Sequence, residues 1–372
     1  MTIGVVLLFA ELACGRTPLD ERATGTAEPR GVFVSAGSMT VARSSHTATL
    51  LSNGSVLVAG GMPGGSSDCL GSAELYEPKA GRFSATGGMA VGRAEHTAAR
   101  LSNGQVLIVG GVECQRPFKS AELYGPATGR FTSTASMGDR ATWELATETL
   151  LPSGKVLIAG GTDYTTDASA SKRDLYAVLY DPGAGTFPVT GSLNVDRVWN
   201  TATLLADGQV LIVGGADLGL ATAERYDPSR ATFTPTGSMT VARFNHSATL
   251  LGNGKVLVAG GGNYSDDELS SAELYDPATG SFAVTGSMTI ARKAHTATLL
   301  RNGKVLVAGG SSGGNVTASA ELYDPETGTF EATSSMSTAR GGLTATLLLD
   351  GRVLIVGGWN SIGTLASAEV YE

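Results

Sequence analysis

A Gly-Gly pair that follows a short apolar run recurs seven times along the 372 residues of this chain. Successive pairs are 50, 50, 54, 46, 49 and 48 residues apart. This period is too long for a helical solenoid unit and matches one four-stranded propeller blade. The repeat predicts an all-β, seven-bladed ring that forms one domain over residues 31–372. The first glycines of the pairs are Gly60, Gly110, Gly160, Gly214, Gly260, Gly309 and Gly357.

The fifth copy shows how one repeat supplies four strands. Residues 245–251 and 255–259 are apolar and β-branched runs joined by an Asn-Gly turn. Residues 272–275 and 281–285 form a second pair around an Asp-Pro-Ala-Thr-Gly turn. A tyrosine marks every third strand and a phenylalanine marks every fourth, so we expect these rings to pack between blades.

The two ends of the sequence complement each other. The last repeat stops after its third strand, at residues 367–371, whereas a strand-like segment at residues 31–37 precedes the first repeat. We expect this N-terminal segment to become the fourth strand of the last blade. Such closure removes the free strand edges that would otherwise invite aggregation.

Composition restricts the class of partner. The net charge is −8, and charged residues make up 16% of the chain. Binding to nucleic acid needs clustered lysine and arginine in excess, so we expect no nucleic-acid partner. We also expect a monomer.

The N-terminal residues resemble a targeting segment. An apolar run at residues 3–10 is followed by small residues around Cys14, which resembles the end of a secretory or lipoprotein signal over residues 1–15. Residues 16–30 are polar and unpatterned, as in a flexible leader. We therefore expect an extracytoplasmic protein, either secreted or tethered to a membrane through Cys14.

Two further cysteines, Cys69 and Cys114, fall in corresponding variable segments of the first two repeats. A disulfide between them would fit an oxidising compartment. Two separate loop thiols would fit the spacing equally well, because sequence does not supply the Cα separation.

Several motifs of the repeat resemble one family. The apolar run with Gly-Gly, the spaced tyrosine, the aromatic residue in the fourth strand and an Arg-x-x-His before the first strand resemble kelch repeats of bacterial secreted propellers. The resemblance covers residues 31–372 and implies a relation to the propeller domain of galactose oxidase. It also implies that the repeated arginines lie at one mouth of the central channel, where several kelch modules hold carboxylates. We expect no copper, because neither Cys69 nor Cys114 has a matching ligand set.

Six arginines and six glutamates each occupy one position of the repeat, and repeat three lacks both, with Trp143 and Val178 in their places. Removing one member of a buried pair leaves a lone charge, so the joint loss indicates structural Arg-Glu pairs within blades. Guanidinium groups still have donors left for a ligand. The predicted pairs use Arg43, Glu74, Arg93, Glu122, Arg292, Glu321, Arg340 and Glu369.

All four histidines share one repeat position, which is Ala146 in repeat three, Asn200 in repeat four and Leu343 in repeat seven. A metal needs ligands that converge on one point, whereas these residues are distributed around a ring. We therefore expect structural, hydrogen-bonding histidines and no metal or other cofactor. The four residues are His46, His96, His246 and His295.

Repeats three and four depart most from the pattern. Glu148 stands where the six other copies have alanine, and Trp143 and Trp199 add aromatic rings. A polar and aromatic patch of this kind suits a sugar or a peptide, whereas a local salt bridge of Glu148 with Arg140 or Arg197 is the structural alternative. The candidate ligand-binding residues are Trp143, Glu144, Glu148, Arg140, Arg197, Trp199, Asn200 and Arg243.

These observations favour a non-catalytic binding module that captures a protein, peptide or glycan on its variable-loop face. The alternative is a cofactor-free sugar isomerase of the sialic acid mutarotase type, in which Glu148 would serve as acid or base. A copper radical oxidase is a third, weaker hypothesis. No catalytic residue is assigned.

Overall fold

The computed structural model describes residues 31–64, 68–113, 116–117, 119–138, 146–161, 175–215, 219–264 and 268–372. In this part of the chain seven four-stranded antiparallel sheets form a ring of blades. The blades are numbered 1 to 7 in the order of their inner strands. None of the described segments is a helix with the length and apolar character needed to cross a membrane.

Every blade contains an inner, a second, a third and an outer strand. The inner strands are Thr47–Leu50, Thr97–Arg100, Thr147–Leu150, Thr201–Leu204, Ser247–Leu250, Thr296–Leu299 and Thr344–Leu347. The second strands are Val56–Ala59, Val106–Val109, Val156–Ala159, Val210–Val213, Val256–Ala259, Val305–Ala308 and Val353–Val356. The third strands are Ala73–Glu77, Ala121–Gly125, Tyr176–Tyr180, Ala223–Asp227, Ala272–Asp276, Ala320–Asp324 and Ser367–Tyr371. The outer strands are Arg82–Ala85, Arg130–Ser133, Val189–Ser192, Thr232–Pro235, Ser281–Val284, Thr329–Ala332 and Phe33–Ser38.

Closure of the ring is confirmed. The N-terminal strand, Phe33–Ser38, pairs antiparallel with the third strand of blade 7 and thereby supplies its outer strand. Phe33 lies opposite Tyr371, and Ser35 lies opposite Glu369. The first and last parts of the chain are therefore hydrogen-bonded in one sheet.

The core lies between neighbouring blades. The second strands are buried along their whole length, because each is covered by a blade on both faces. Tyr124 of blade 2 packs on Leu57 and Ala59 of blade 1. Its hydroxyl group is 2.9 Å from the Thr86 hydroxyl of blade 1, and its ring centroid is 4.9 Å from that of Phe131. The tyrosine and phenylalanine rings therefore pack at the seams between blades, as expected from the repeat.

Two faces of the ring differ in construction. The turn face carries the short turns that follow the inner and third strands. The loop face carries the connections between second and third strands and those that lead into the next inner strand. On the loop face three of these connections form two-stranded hairpins, which are Val112–Glu113 with Arg116–Pro117, Ser311–Ser312 with Asn315–Val316, and Trp359–Asn360 with Gly363–Thr364.

The Gly-Gly pair allows two backbone segments to pack closely against each other at the loop face. Gly61 has φ +97°, and a Cβ atom there would lie 2.5 Å from the Ser44 carbonyl oxygen. Any other residue would clash with the connection that enters the inner strand. The most conspicuous repeat signal thus reports a tight crossing of two backbone segments.

Candidate functional site

Each repeated arginine holds the connection before its inner strand against its own blade. In blade 1 the Arg43 guanidinium donates to the carbonyl oxygens of Gly60 and Ser72, at 2.8 and 3.0 Å, and pairs with Glu74 at 3.1 Å. Glu74 in turn accepts the amides of Thr40 and Val41. Both side chains are buried. This unit, termed here the Arg-Glu clamp, joins the incoming connection to the third strand.

The clamp recurs in six blades. Burial lowers the pKa of each arginine, and the partner glutamate opposes that shift by favouring the cation. The nitrogen to oxygen distances lie between 2.9 and 3.1 Å. The pairs are Arg43–Glu74, Arg93–Glu122, Arg197–Glu224, Arg243–Glu273, Arg292–Glu321 and Arg340–Glu369.

Two clamp members, Arg197 and Arg243, are also candidate ligand-binding residues from the sequence. Their relative exposures are 1% and 0%. Their guanidinium groups donate to blade carbonyl oxygens as well as to Glu224 and Glu273. A ligand on the loop face would not reach them without opening a blade, so the structure places both among the clamps. Arg197 is likewise engaged with Glu224 and does not serve as the partner of Glu148.

Blade 3 departs from this arrangement. Val178 is buried at the glutamate position and offers no acceptor for backbone amides. The candidates Trp143, Glu144 and Arg140 lie outside the described residues, as does Cys114. Cys69 is described, and its thiol donates to the Val112 carbonyl oxygen of blade 2 at 3.2 Å. The disulfide to Cys114 therefore stays a prediction.

The histidines connect neighbouring inner strands around the channel. His96 Nε2 lies 2.9 Å from the Thr47 hydroxyl of blade 1, and His246 Nε2 lies 3.0 Å from that of Thr201 in blade 4. Burial, followed by the charge of the nearby arginine, lowers the pKa of each histidine to about 3. The rings are thus neutral at physiological pH. The same contact joins His46 to Thr344 and His295 to Ser247.

Asn200 and Ala146 occupy the histidine position in blades 4 and 3. The Asn200 amide lies 3.5 Å from the Thr147 hydroxyl, so it retains the contact between blades at its limit of distance. Asn200 is 6% exposed and therefore has little surface for a ligand. Ala146 carries no polar group, and the hydroxyl group that would face it, on Thr97 of blade 2, is buried without a hydrogen-bond partner.

Glu148 lies two residues beyond Ala146, within the inner strand of blade 3. Its carboxyl group faces the Thr97 hydroxyl and the Ala98 amide of blade 2, and its side chain is partly exposed. Burial within the ring raises the pKa of Glu148 to about 7, although these neighbours favour the charged form. A carboxyl group that titrates near neutral pH is suited to proton transfer and to binding a ligand.

A second feature is a ring of left-handed residues at the loop-face mouth of the channel. The residue before each histidine position has φ between 51° and 55° at Ser45, Glu95, Trp199, Asn245 and Ala294, and φ 57° at Gly342. The Glu95 amide donates to the Ser45 carbonyl oxygen, and the Asn245 amide donates to that of Trp199. These backbone contacts join adjacent blades at the rim.

Trp199 is the bulkiest of the described rim residues. A tryptophan rarely adopts positive φ, and such strain is held in place by the surrounding structure. Its ring is partly exposed, and its centroid lies 5.9 Å from that of Phe244 in blade 5. The sequence pattern indicates Trp199 as a candidate but does not reveal the rim, although Gly342 stands at this position in blade 7.

Metal ligands do not converge in the described part of the chain, where no group of three His, Cys, Asp or Glu side chains is placed to share an ion. The candidate site consists of Trp199 at the rim and Glu148 on the inner strand of blade 3. Both belong to the two irregular blades.

Comparison with known proteins supports the repeat assignment. The Kelch motif family model matches residues 243–289 and 292–337, which are copies five and six. A search of curated protein sequences found no match. Among solved structures, the chain is similar to a fungal alcohol oxidase of the AA5 family in complex with copper, with TM-score 0.72 and 18% identity over 92% of this chain and 75% of that one.

A second similar structure is that of YjhT, with TM-score 0.62 and 14% identity over 80% of this chain and 99% of that one. At these identities the likeness concerns the fold alone. The matched motifs are copies of a unit that recurs seven times around one closed ring. Copies five and six therefore match the Kelch motif, and the described chain folds as a seven-bladed β-propeller.

Proposed function

We propose that this propeller is a non-catalytic, extracytoplasmic binding module that captures a peptide, protein or glycan over the loop-face mouth of its channel. The observation that carries the proposal is Trp199, a partly exposed indole held at φ 53° on the rim. Rim residues of four other blades have a similar positive φ, so the feature that distinguishes Trp199 is its partly exposed indole. The flat indole face is suited to stacking on a sugar ring or an apolar side chain.

Further features of the loop face support the same surface. Tyr264 and Trp359, on connections of blades 5 and 7, are 67% and 44% exposed. Large aromatic residues supply contact area at little cost in side-chain entropy, and they are enriched where proteins bind partners. The described connections differ between blades on this face, because blades 2, 6 and 7 carry hairpins there. Variable connections on a rigid scaffold are where binding residues generally lie.

The test is capture on glycan and peptide arrays by the full chain and by Trp199→Ala. Alanine occupies the same rim position in blade 6, at φ 51°, so this variant is expected to fold. We expect capture to fall at least about tenfold, with a melting temperature close to that of the wild type. Phe244→Lys introduces the lysine that blade 6 has at this position. It serves as the control for the aromatic ring next to Trp199. Unchanged capture by Trp199→Ala would contradict the proposal.

A second candidate function is a cofactor-free sugar isomerase of the sialic acid mutarotase type, and Glu148 is the observation that favours it. A general acid or base works best when its pKa is near the working pH, and that of Glu148 is about 7. NMR exchange spectroscopy on the anomers of acidic sugars tests this function. Faster exchange with the wild type that disappears in Glu148→Gln would establish the isomerase and displace the non-catalytic role.

A further inference from the structure

The seam between blades 2 and 3 lacks the side-chain hydrogen bond that the four histidine-bearing seams possess. At four seams an imidazole of one blade meets a hydroxyl of the preceding blade at 2.9–3.0 Å. At the seam between blades 2 and 3, Ala146 brings no polar group. The Thr97 hydroxyl is therefore left unpartnered, on a residue that is 7% exposed.

Glu148 faces the same seam. It lies two residues after Ala146, and alternate residues of an extended segment point to the same side. Residues at its repeat position point toward the preceding blade, as Ala48 does where it packs on the core shared with blade 7. Glu148 accordingly faces the Thr97 hydroxyl and the Ala98 amide of blade 2. The carboxyl group thus lies against blade 2, and the residue is partly exposed.

The groups packed around Glu148 bring no described counter-charge. The strands against its own are the inner strand of blade 2, the inner strand of blade 4 and the second strand of blade 3. Of these only the first carries a titratable residue, Arg100, which donates to Ser52 of blade 1. His96 is neutral and directed to Thr47.

From this geometry we propose that Glu148, beside the unpartnered Thr97 hydroxyl and the Ala98 amide, forms a subsite for a primary ammonium group of the ligand. The ammonium group would donate hydrogen bonds to the carboxylate and supply the positive charge that the described protein lacks there. An amino sugar or a lysine side chain carries such a group. This inference rests on the proposed function and adds to it the chemical class of the captured ligand.

The pH dependence of the subsite has a defined sign. A cation binds the carboxylate and not the carboxylic acid, so affinity is expected to rise as Glu148 ionises. With a pKa of about 7, the ionised fraction falls about thirtyfold between pH 8 and pH 5.5. Conversely, a bound ammonium group is expected to lower the pKa of Glu148.

Methylammonium is the probe, and the readout is the side-chain carboxyl signal of Glu148 in ¹³C-glutamate-labelled full-length protein. Glu148→Gln assigns the signal by its loss. We expect a saturable shift at pH 8, about thirtyfold weaker binding at pH 5.5, and an apparent pKa lowered by the probe. Tetramethylammonium, which has the charge but no N–H donor, is expected to bind far more weakly.

Ala146→His supplies a matched variant, because it places an imidazole where four other blades have one. The ring is expected to reach Thr97 and to occupy the side of the carboxyl group, so methylammonium binding should be lost while the Glu148 signal persists. Ala146→His with Glu148→Ala gives blade 3 the residues of blades 1, 2 and 6 and serves as the folding control.

Three outcomes would overturn the inference. They are the absence of a saturable shift at pH 8, binding that does not weaken at pH 5.5, and equal binding of tetramethylammonium. An internal cation that already occupies Glu148 would produce the first outcome. Capture that depends on Trp199 while methylammonium does not bind would remove the subsite and leave the proposed function intact. Binding of methylammonium with unchanged capture by Trp199→Ala would support the subsite and contradict the proposed function.

Discussion

Blades 5 and 3 are built on the same four-stranded plan but are joined to the ring in different ways. Blade 5 has a complete Arg-Glu clamp in Arg243 and Glu273 and a seam hydrogen bond from His246 to Thr201. Blade 3 has Val178 at the glutamate position and Ala146 at the histidine position. It carries instead a carboxyl group on its inner strand, Glu148, where blade 5 has Ala248.

The comparison separates structural from functional departures. Clamps and seam hydrogen bonds add stability, and they recur in six blades and at four seams respectively. Blade 3 gives up both and gains a partly buried carboxyl group, which burial makes unfavourable in its charged form. A loss of stability without a packing gain is typical of a site kept for binding or catalysis.

The largest effect is expected from giving blade 5 the valine of blade 3. Glu273→Val leaves the Arg243 guanidinium buried without its counter-ion and removes the acceptor of the Thr240 and Val241 amides. We expect the free energy of unfolding, measured with urea, to fall by about 3 to 5 kcal/mol. Adding Arg243→Met should recover part of that loss, because the lone charge is removed. A loss below about 1 kcal/mol in the single variant would show that the clamp is not structural.

An intermediate effect is expected from giving blade 3 the alanine of blade 5. The pKa of Glu148 is raised in the folded state, so its contribution is most favourable below the unfolded value near 4.5 and declines as pH rises through about 7. Relative to the wild type, Glu148→Ala should gain on the order of 2 kcal/mol in unfolding free energy between pH 4.5 and pH 8, allowing for partial exposure. Urea midpoints at both pH values measure it, with Glu148→Gln as control. Parallel pH profiles would contradict the raised pKa.

The smallest effect concerns a departure on the turn face, where no ligand is proposed. Ala231 of blade 4 has φ 54° at a position that is glycine in blades 1, 2, 3, 5 and 6. Ala231→Gly should raise the free energy of unfolding by about 0.5 to 1 kcal/mol, because a left-handed alanine is strained. Ala184→Gly, one residue before Gly185 in blade 3, is the control and should be neutral or destabilising. A loss of stability in Ala231→Gly would show that the left-handed alanine is not strained.

Much of the fold follows from local sequence. Strand runs, Asn-Gly and Asp-Pro turns and the period of about 50 residues between glycine pairs predict seven blades, because alternation and turn chemistry act over a few residues. The closure of blade 7 follows from counting strands, and Phe33 does pair with Tyr371. Even the clamps are suggested by the joint loss of arginine and glutamate in one repeat.

The tertiary structure alone decided the contacts across seams. That His96 meets Thr47, that Thr97 is left unpartnered beside Glu148, and that Trp199 stands at a left-handed rim all depend on side-chain direction. These contacts join residues about one repeat apart in the chain, and no local propensity encodes them. Burial of Arg197 and Arg243 was decided in the same way, because exposure is a property of the assembled ring.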